Sequence, residues 1–331
     1  MHAIGDIKMI SRSDFAKKQI IVYCPAKGDL LSFRNDNIVI KNKDNKIKYQ
    51  STCYQLFAIL VIGHTTITTG LIQRAYKFEF SICLFSMSFK LYSIIGGRLE
   101  GNTLLRKKQY EYNSLELGQR IIYNKISNQR EALNLLRNKT IECKRIIHTL
   151  DKLKCEVVQE ELPLLSILGI EGSASKIYFS EMFAFTEWKG RKPRIKQDYI
   201  NATLDIGYTV LFNAVDAIAG IYGFDTYYGV LHRCFYMRKS LICDLMEPFR
   251  PVIDIATRKG IKLNQIQEKD FENYNGRYVL KYEKSSQYTT FYLNAIMEYK
   301  EEIFLYIQGY YRKFMKKASV NDFPIFEVMK R

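Results

Sequence analysis

Ile94-Ile95-Gly96-Gly97-Arg98-Leu99-Glu100-Gly101-Asn102 is the stretch on which the fold of this chain turns. It holds three glycines in nine residues, and glycine adopts backbone conformations that other residues avoid, so the run reads as a hinge. Before it the chain is a series of short β-rich pieces separated by turn residues. Gln19–Tyr23 and Ile38–Ile40 are β-branched runs. Asn42-Lys43-Asp44-Asn45 suits a hairpin tip, because Asn and Asp tolerate the left-handed conformation such turns need. Gln55–Ile62, Thr65–Thr69 and Phe78–Phe85 are further strand candidates, with a short helix expected over Gly70–Lys77.

After the hinge the texture is helical. Over Leu115–Asn138, Leu117, Ile121, Ile122, Ile126, Leu133, Leu135 and Leu136 recur at three- and four-residue spacings between charges. Glu171–Trp188 is a second candidate, Asp198 reads as the N-cap of a helix over Tyr199–Ala219, and a late aromatic-rich helix is expected over Tyr288–Met315. The fold class is therefore α+β: a small N-terminal β-domain over 1–94, a linker over 95–102, and a larger all-α domain over 103–331.

Among the 331 residues, 50 Lys+Arg oppose 34 Asp+Glu, a net charge of +16, and 47% are hydrophobic. That apolar content excludes a disordered chain, a collagen and a coiled-coil rod. A pI near 9.3 on a folded protein points to a polyanionic partner, either nucleic acid or an acidic membrane surface. Charge lies on both sides of the hinge, since residues 1–95 carry 13 Lys+Arg and 6 Asp+Glu. The membrane alternative is weak. Residues 49–73 lack charge, but their unbroken apolar run is only Leu56 to Gly63, short of the roughly 20 residues a spanning helix needs. The N-terminus has no apolar region of signal-peptide type. Seven cysteines without a Cys-x-x-Cys pair argue against a disulfide framework and a thiolate zinc site, so a reducing cytoplasm is expected.

Candidate chemistry is sparse. Of four histidines, His2 is terminal, His64 sits in a turn-like Gly-His-Thr-Thr, and His148 lies on a helical stretch where partial burial is expected. His232 differs, because Asp244-Leu-Met-Glu247-Pro-Phe-Arg250-Pro follows twelve residues later. Two carboxylates at i and i+3 with a neutral imidazole make a mixed O/N site suited to Mg²⁺ or Mn²⁺. The same spacing is also a capping box, with Asp244 as N-cap and Glu247 at N3, and on spacing alone capping is the commoner outcome. Glu171 precedes the small residues of 172–175 and would ordinarily complement a helix dipole. Between Trp188 and Lys196, five cations in nine residues, Arg191, Lys192 and Arg194 among them, match phosphate-backbone binding as well as an ordinary solvated loop.

In chain order these segments resemble a family. They are Glu171-Gly-Ser-Ala-Ser-Lys-Ile-Tyr-Phe179, Gly190-Arg-Lys-Pro193 with Asp198-Tyr-Ile-Asn201, Gly229-Val-Leu-His232-Arg, and Asp244-Leu-Met-Glu247-Pro-Phe-Arg250-Pro. Gly63-His-Thr-Thr-Ile-Thr, Glu100-Gly-Asn-Thr-Leu-Leu-Arg106, Tyr299-Lys-Glu-Glu-Ile-Phe304 and Tyr310-Tyr-Arg312 extend the likeness over nearly the whole chain. The series resembles the CRISPR-associated integrase, the first of the two universal spacer-acquisition proteins (Cas one), and is closest in flavour to type V and type II versions.

The resemblance implies a site and a reaction. Glu171, His232 and Glu247 match the ligands of a divalent metal, Mg²⁺ or Mn²⁺, and Asp244 matches the assisting first acid of its motif. Ser175 stands where the family more often has Ala, a small change expected not to matter, and Glu247 is the longer of the two acids found at its position. The implied fold is a β-domain that helps dimerise the protein ahead of an α-helical catalytic domain. The implied activity is metal-dependent DNA integration: the 3′-hydroxyl of a foreign fragment attacks a phosphodiester at a repeat of a CRISPR array, in adaptive antiviral defence. The implied partners are double-stranded donor and repeat DNA, a second copy of the chain, and the small second acquisition protein in a heterohexamer, with no membrane. Arg191, Lys192, Arg194 and Arg250 are the candidates for gripping DNA. No Ser or Cys is placed with a His and an acid as a covalent nucleophile. Two rivals remain: a metal-dependent nuclease on branched DNA, and a non-catalytic DNA-binding scaffold whose acids merely cap helices.

Overall fold

The computed structural model describes residues 18–87, 90–96, 101–159, 162–193, 195–232 and 236–329. The chain divides into two compact units, the first ending at Arg98 and the second beginning at Leu99.

Seven strands, one α-helix and a 3-10 turn make up the described part of the first unit, in the order β1 (Gln19–Tyr23), β2 (Leu30–Arg34), β3 (Asn37–Lys41), β4 (Ile47–Thr52), the turn Cys53–Gln55, β5 (Leu56–Ile62), α1 (Thr69–Lys77), β6 (Ser81–Phe85) and β7 (Leu91–Ile95). One sheet has the order β1-β5-β6-β7, parallel except for the β6–β7 pair. Parallel neighbours need a crossover, and α1 supplies it between β5 and β6. The other sheet is the antiparallel meander β2-β3-β4. All seven residues of β5 are buried, because it lies at the centre of its sheet. The short apolar run of the sequence is thus a core strand. Leu31, Ile38 and Ile40 of the meander join Ile21, Ile59, Val61, Leu71 and Ile82 in one core.

The hairpin tip forms as its asparagines suggest. Asn42 Oδ1 accepts the N–H groups of Asp44 and Lys46 at 3.1 and 2.9 Å, and Asn45 takes φ 62. The strand expected over Thr65–Thr69 does not form. Thr68 instead caps α1, its hydroxyl accepting the Leu71 N–H at 3.3 Å, so capping outweighs β-propensity there. Gly96 is fixed by close packing: with φ 69, a Cβ would meet the Ala75 Cβ at 2.8 Å and the Phe80 carbonyl oxygen at 2.9 Å. Of the expected linker, residues 97–100 lie outside the described residues, while Asn102 caps the next helix and donates to the Tyr222 carbonyl at 3.0 Å.

Helices dominate the second unit: α2 (Thr103–Glu111), α3 (Glu116–Asn134), α4 (Ile141–Glu156), α5 (Leu164–Met182), α6 (Tyr199–Ile221), α7 (Ser240–Leu245), α8 (Arg250–Lys262), a hairpin of β8 (Phe271–Tyr274) and β9 (Arg277–Leu280), then α9 (Ser285–Met297) and α10 (Lys300–Met315). The helix α3 packs on α4 and α5, and α6 packs on α8 and α9. Asp198 caps α6 by accepting the Asn201 N–H at 2.7 Å, as the sequence suggests. Among the described residues α6 alone is long and apolar enough to cross a membrane, but 67% of its most apolar window is buried inside the unit.

Two helix boundaries move. Glu171 lies in the middle of α5, so the dipole account of it fails: the small residues around it are helical, and the helix starts after Pro163. The late helix is broken into α9 and α10 where Tyr299 leaves helical geometry at φ −110; its ring is buried against Phe326 and its hydroxyl donates to the Met329 carbonyl at 2.9 Å. No disulfide joins the described cysteines, and His148 is exposed rather than partly buried.

The last described segment crosses α3 and is clamped there by two asparagines one turn apart. Asn124 accepts the Phe326 N–H at 2.9 Å and donates to its carbonyl at 2.7 Å. Asn128 accepts the Val328 N–H at 2.9 Å and donates to the carbonyls of Phe326 at 2.9 Å and Pro248 at 3.0 Å.

Candidate functional site

Asp244 organises one side of the site. It is fully buried on α7, and the chain before His232 wraps over it, so that its carboxylate accepts the backbone N–H groups of Val230 at 2.7 Å, Leu231 at 3.0 Å and His232 at 3.0 Å. The fourth contact is His232 Nδ1, 2.6 Å from Asp244 Oδ1. An acceptor-only carboxylate needs a donor there, so Nδ1 carries a proton, and Nε2 is the ring nitrogen not engaged by Asp244. Gly229 makes the wrap possible: a Cβ there would lie 2.6 Å from Asp244 Oδ2 and 2.9 Å from the Ser240 carbonyl carbon.

These bonds overturn the capping-box expectation. Asp244 lies within α7, Glu247 opens a separate 3-10 turn over Glu247–Phe249, and neither α8 nor that turn has a side-chain cap. The Asp244 carboxylate is taken up by the His232 loop, which leaves nothing for a helix start. The helix-capping role that the scaffold alternative gives to Asp244 is therefore not the one it has.

Glu171 and Glu247 meet on a residue that the sequence reading passed over. Lys125 on α3 donates to Glu171 Oε1 and sits 2.7 Å from Glu247 Oε2, with the Arg250 Nε at 2.9 Å from the same oxygen. The distances make ion pairs, but the angles leave Glu247 Oε2 a buried oxygen without a hydrogen bond. Burial by itself would push the Glu247 carboxyl up; the charges of Arg250 and Lys125 outweigh it and hold it down at about 2. The His232 ring is near enough to act on that carboxyl as well. Burial opposes the ammonium of Lys125, yet Glu247 and Glu171 together raise it above its ordinary value. The side chains of Glu171 and His232 are 25% and 23% exposed, against 5% for Glu247 and 8% for Lys125, so the first two form the open mouth and the second two the floor.

Ser175 matters more than its size suggests. Its hydroxyl donates to Glu171 Oε1 at 3.1 Å and accepts from Gln129 Nε2 at 3.3 Å, tying Glu171 back to α3. The arginines are engaged too. Arg250 lies over the Tyr208 ring at 4.6 Å, and Arg191 over the same ring at 5.3 Å while bonding to Asp205 Oδ1 at 2.5 Å and Asn201 Oδ1 at 3.0 Å. Lys192 is exposed, its ammonium 3.1 Å from Gln197 Oε1, and Arg194 lies outside the described residues. Beneath Tyr208 is a group that sequence reasoning missed: Asp254, buried on α8, accepts from Tyr208 at 2.5 Å and Tyr178 at 3.1 Å. Burial raises its carboxyl to about 6 in spite of both bonds and of Arg250 and Arg191.

The donor set suits a hard or borderline divalent ion: two carboxylates, one of them carrying a buried oxygen without a hydrogen bond, and an imidazole oriented by a carboxylate. As they stand, no three His, Cys, Asp or Glu side chains among the described residues form a finished ligand cage. Between Glu171 and Glu247 stands the ammonium of Lys125.

The fold places the chain in a class with solved proteins of the same architecture. A chain of a partial Cas6-RT-Cas1–Cas2 complex superposes with TM-score 0.76 at 22% identity, covering 95% of this chain and 100% of that one. A casposase bound to integration product gives 0.68 at 18% identity, covering 95% and 96%. Among curated proteins, the CRISPR-associated endonuclease Cas1 1 of Thermodesulfovibrio yellowstonii is 26% identical over 276 residues, 79% of this chain and 87% of its own length. The family model of CRISPR associated protein Cas1 matches residues 22–293, and the chain belongs to that family.

Proposed function

We propose that the chain is a metal-dependent DNA integrase that inserts foreign fragments into a CRISPR array. The observation that carries this reading is the convergence of Glu171 and Glu247 on one cation, beside an imidazole whose Nδ1 is held by Asp244. Glu171, Glu247 and Nε2 of His232 would hold Mg²⁺ or Mn²⁺, which when bound supplies Lewis-acid activation of hydroxyl and phosphate oxygens. The chain's own residues do the rest. Asp244 fixes the tautomer and direction of His232, and Ser175 fixes Glu171. Lys192 is exposed and would meet a backbone phosphate from solvent, with Arg194 two residues on in sequence, while Arg250 sets positive charge next to Glu247 and Arg191 shares its Tyr208 ring. The 3′-hydroxyl of the donor forms a new P–O bond as the repeat's phosphodiester P–O bond breaks, leaving a 3′-hydroxyl on the repeat strand. One ester replaces another, so no nucleotide hydrolysis is required.

The likeness to a chain of a Cas1–Cas2 complex and to a casposase bound to integration product supports DNA and the small second acquisition protein as partners; a heterohexamer built on homodimers is the assembly that goes with this reading. The β-rich first unit is the part proposed to dimerise. A second reading is hydrolysis at the same site, with branched DNA as the substrate; the name endonuclease of the Thermodesulfovibrio relative supports the hydrolysis and says nothing of branching.

Joining of a donor fragment to a supercoiled repeat plasmid, with Mg²⁺ or Mn²⁺, tests both. Glu171→Ala, His232→Ala and Glu247→Ala should each abolish joined product. Joining at the wild-type level in all three overturns the site, and shortened strands without joined ones favour hydrolysis.

A further inference from the structure

We propose that Lys125 is a resident counter-cation of the acid site, one that holds Glu171 and Glu247 together in the metal-free protein and that a divalent ion must displace. The inference rests on the metal site proposed above.

Three elements meet at this ammonium: Lys125 comes from α3, Glu171 from α5 and Glu247 from the turn ahead of α8. Two carboxylates brought together without a cation repel each other, and leaving buried charge uncompensated is strongly unfavourable. Lys125 and Arg250 balance the pair, two positive charges against two negative ones. The helix that carries Lys125 is pinned through the neighbouring Asn124 and through Asn128 to the chain's last described segment, so α3 does not need to move to clear the site. The lysine stem does, and its four flexible carbons allow the ammonium to swing where a planar, bidentate guanidinium would resist.

The oxygens engaged by Lys125 are those a hard cation would take: Glu171 Oε1, and Glu247 Oε2, which has no hydrogen bond. Ammonium and divalent ion therefore compete. The competition gives the site an assembled metal-free form, in which the carboxylates keep their places between metal-binding events.

Mn²⁺ titration of the full-length protein, followed by the electron paramagnetic resonance signal of free aqueous Mn²⁺, reads this directly. Lys125→Met keeps the length and removes the charge, so it should bind Mn²⁺ about tenfold more tightly or better. Its melting temperature without metal should fall, and Mn²⁺ should restore it. Lys125→Arg should bind Mn²⁺ more weakly than Lys125→Met. If Lys125→Met fails to fold without metal, the wild-type protein still decides the matter. Acetylation of Lys125 by an amine-reactive ester, quantified by mass spectrometry, should be slow without metal and rise on adding Mn²⁺. Equal labelling in both states, or Mn²⁺ binding that depends on Glu171 but is not tightened by Lys125→Met, overturns the competition alone. Mn²⁺ binding that Glu171→Gln leaves untouched in the Lys125→Met background overturns the site itself, and the competition with it.

Discussion

Asp244 holds His232 at two points, accepting its backbone N–H at 3.0 Å and facing its Nδ1 at 2.6 Å, so main chain and ring are set by one buried carboxylate. The two bonds separate by mutation. Asp244→Ala leaves three loop N–H groups without an acceptor and should destabilise the fold by at least about 3 kcal/mol, read from the urea midpoint. Asp244→Asn keeps one acceptor oxygen but sets an amide where Nδ1 needs a carboxylate. Its stability loss should be smaller, while strand joining falls about 10–100-fold.

Gly229→Ala tests the same wrap from the other side. The added methyl would lie 2.6 Å from Asp244 Oδ2, 2.9 Å from the Ser240 carbonyl carbon and 3.0 Å from the His232 carbonyl oxygen, two of them backbone atoms that cannot rotate away. The loop must shift, carrying His232 with it. Joining activity should drop by about 100-fold, since an ångström of misplacement is enough for that. The change in urea midpoint should be smaller than for Asp244→Ala.

Much of this was legible in the sequence, and what was not has physical reasons. The change of texture at Gly96 and Gly97 marked two kinds of structure, because strand and helix periodicities are local properties. Motif resemblance singles out Glu171, His232, Asp244 and Glu247 as candidates; spacing alone favours capping, and the structure shows Asp244 capping no helix. Lys125 was hidden in plain pattern. It follows Ile121 by four residues and Ile122 by three, and so stands on the apolar face of α3, where an unpaired lysine has no place. The signal was there, but its partners lie 46 and 122 residues away in sequence and only packing reveals them. Ser175 shows only its small size in the sequence, and its bond to Glu171 exists only once α5 has formed.

The clamp on the chain's last described segment should prove structural. Asn128→Leu is close in volume but removes bonds to Phe326, Val328 and Pro248, the last adjoining Glu247. A net loss of about 2–4 kcal/mol is expected for three bonds of this kind. Limited proteolysis should cut the variant beyond residue 322 under conditions that leave the wild type whole. Resistance equal to the wild type would show that Asn124 suffices to hold the segment.

Asp254 gives the fold a pH dependence opposite in sign to that of most carboxylates. Burial raises it from an ordinary 3.8 to about 6, outweighing the hydroxyls of Tyr208 and Tyr178 and the charges of Arg250 and Arg191. Below pH 3.8 the group is protonated both folded and unfolded, and no penalty applies. As pH rises from 3.8 to 6, the unfolded chain ionises freely while the folded one must keep its proton or bury the charge, so stability present at low pH is progressively lost and is gone once pH has risen through 6. A difference of this size corresponds to about 3 kcal/mol. Asp254→Asn has no charge to bury, and its oxygen still accepts from one tyrosine. The stability of the wild type minus that of Asp254→Asn, taken from urea midpoints, should therefore grow as pH falls from 7.5 to 4.5. Glu247, held down at about 2, titrates in both proteins and cancels from the difference. A difference that stays flat over this range would mean that the two tyrosines, not burial, decide the charge of Asp254.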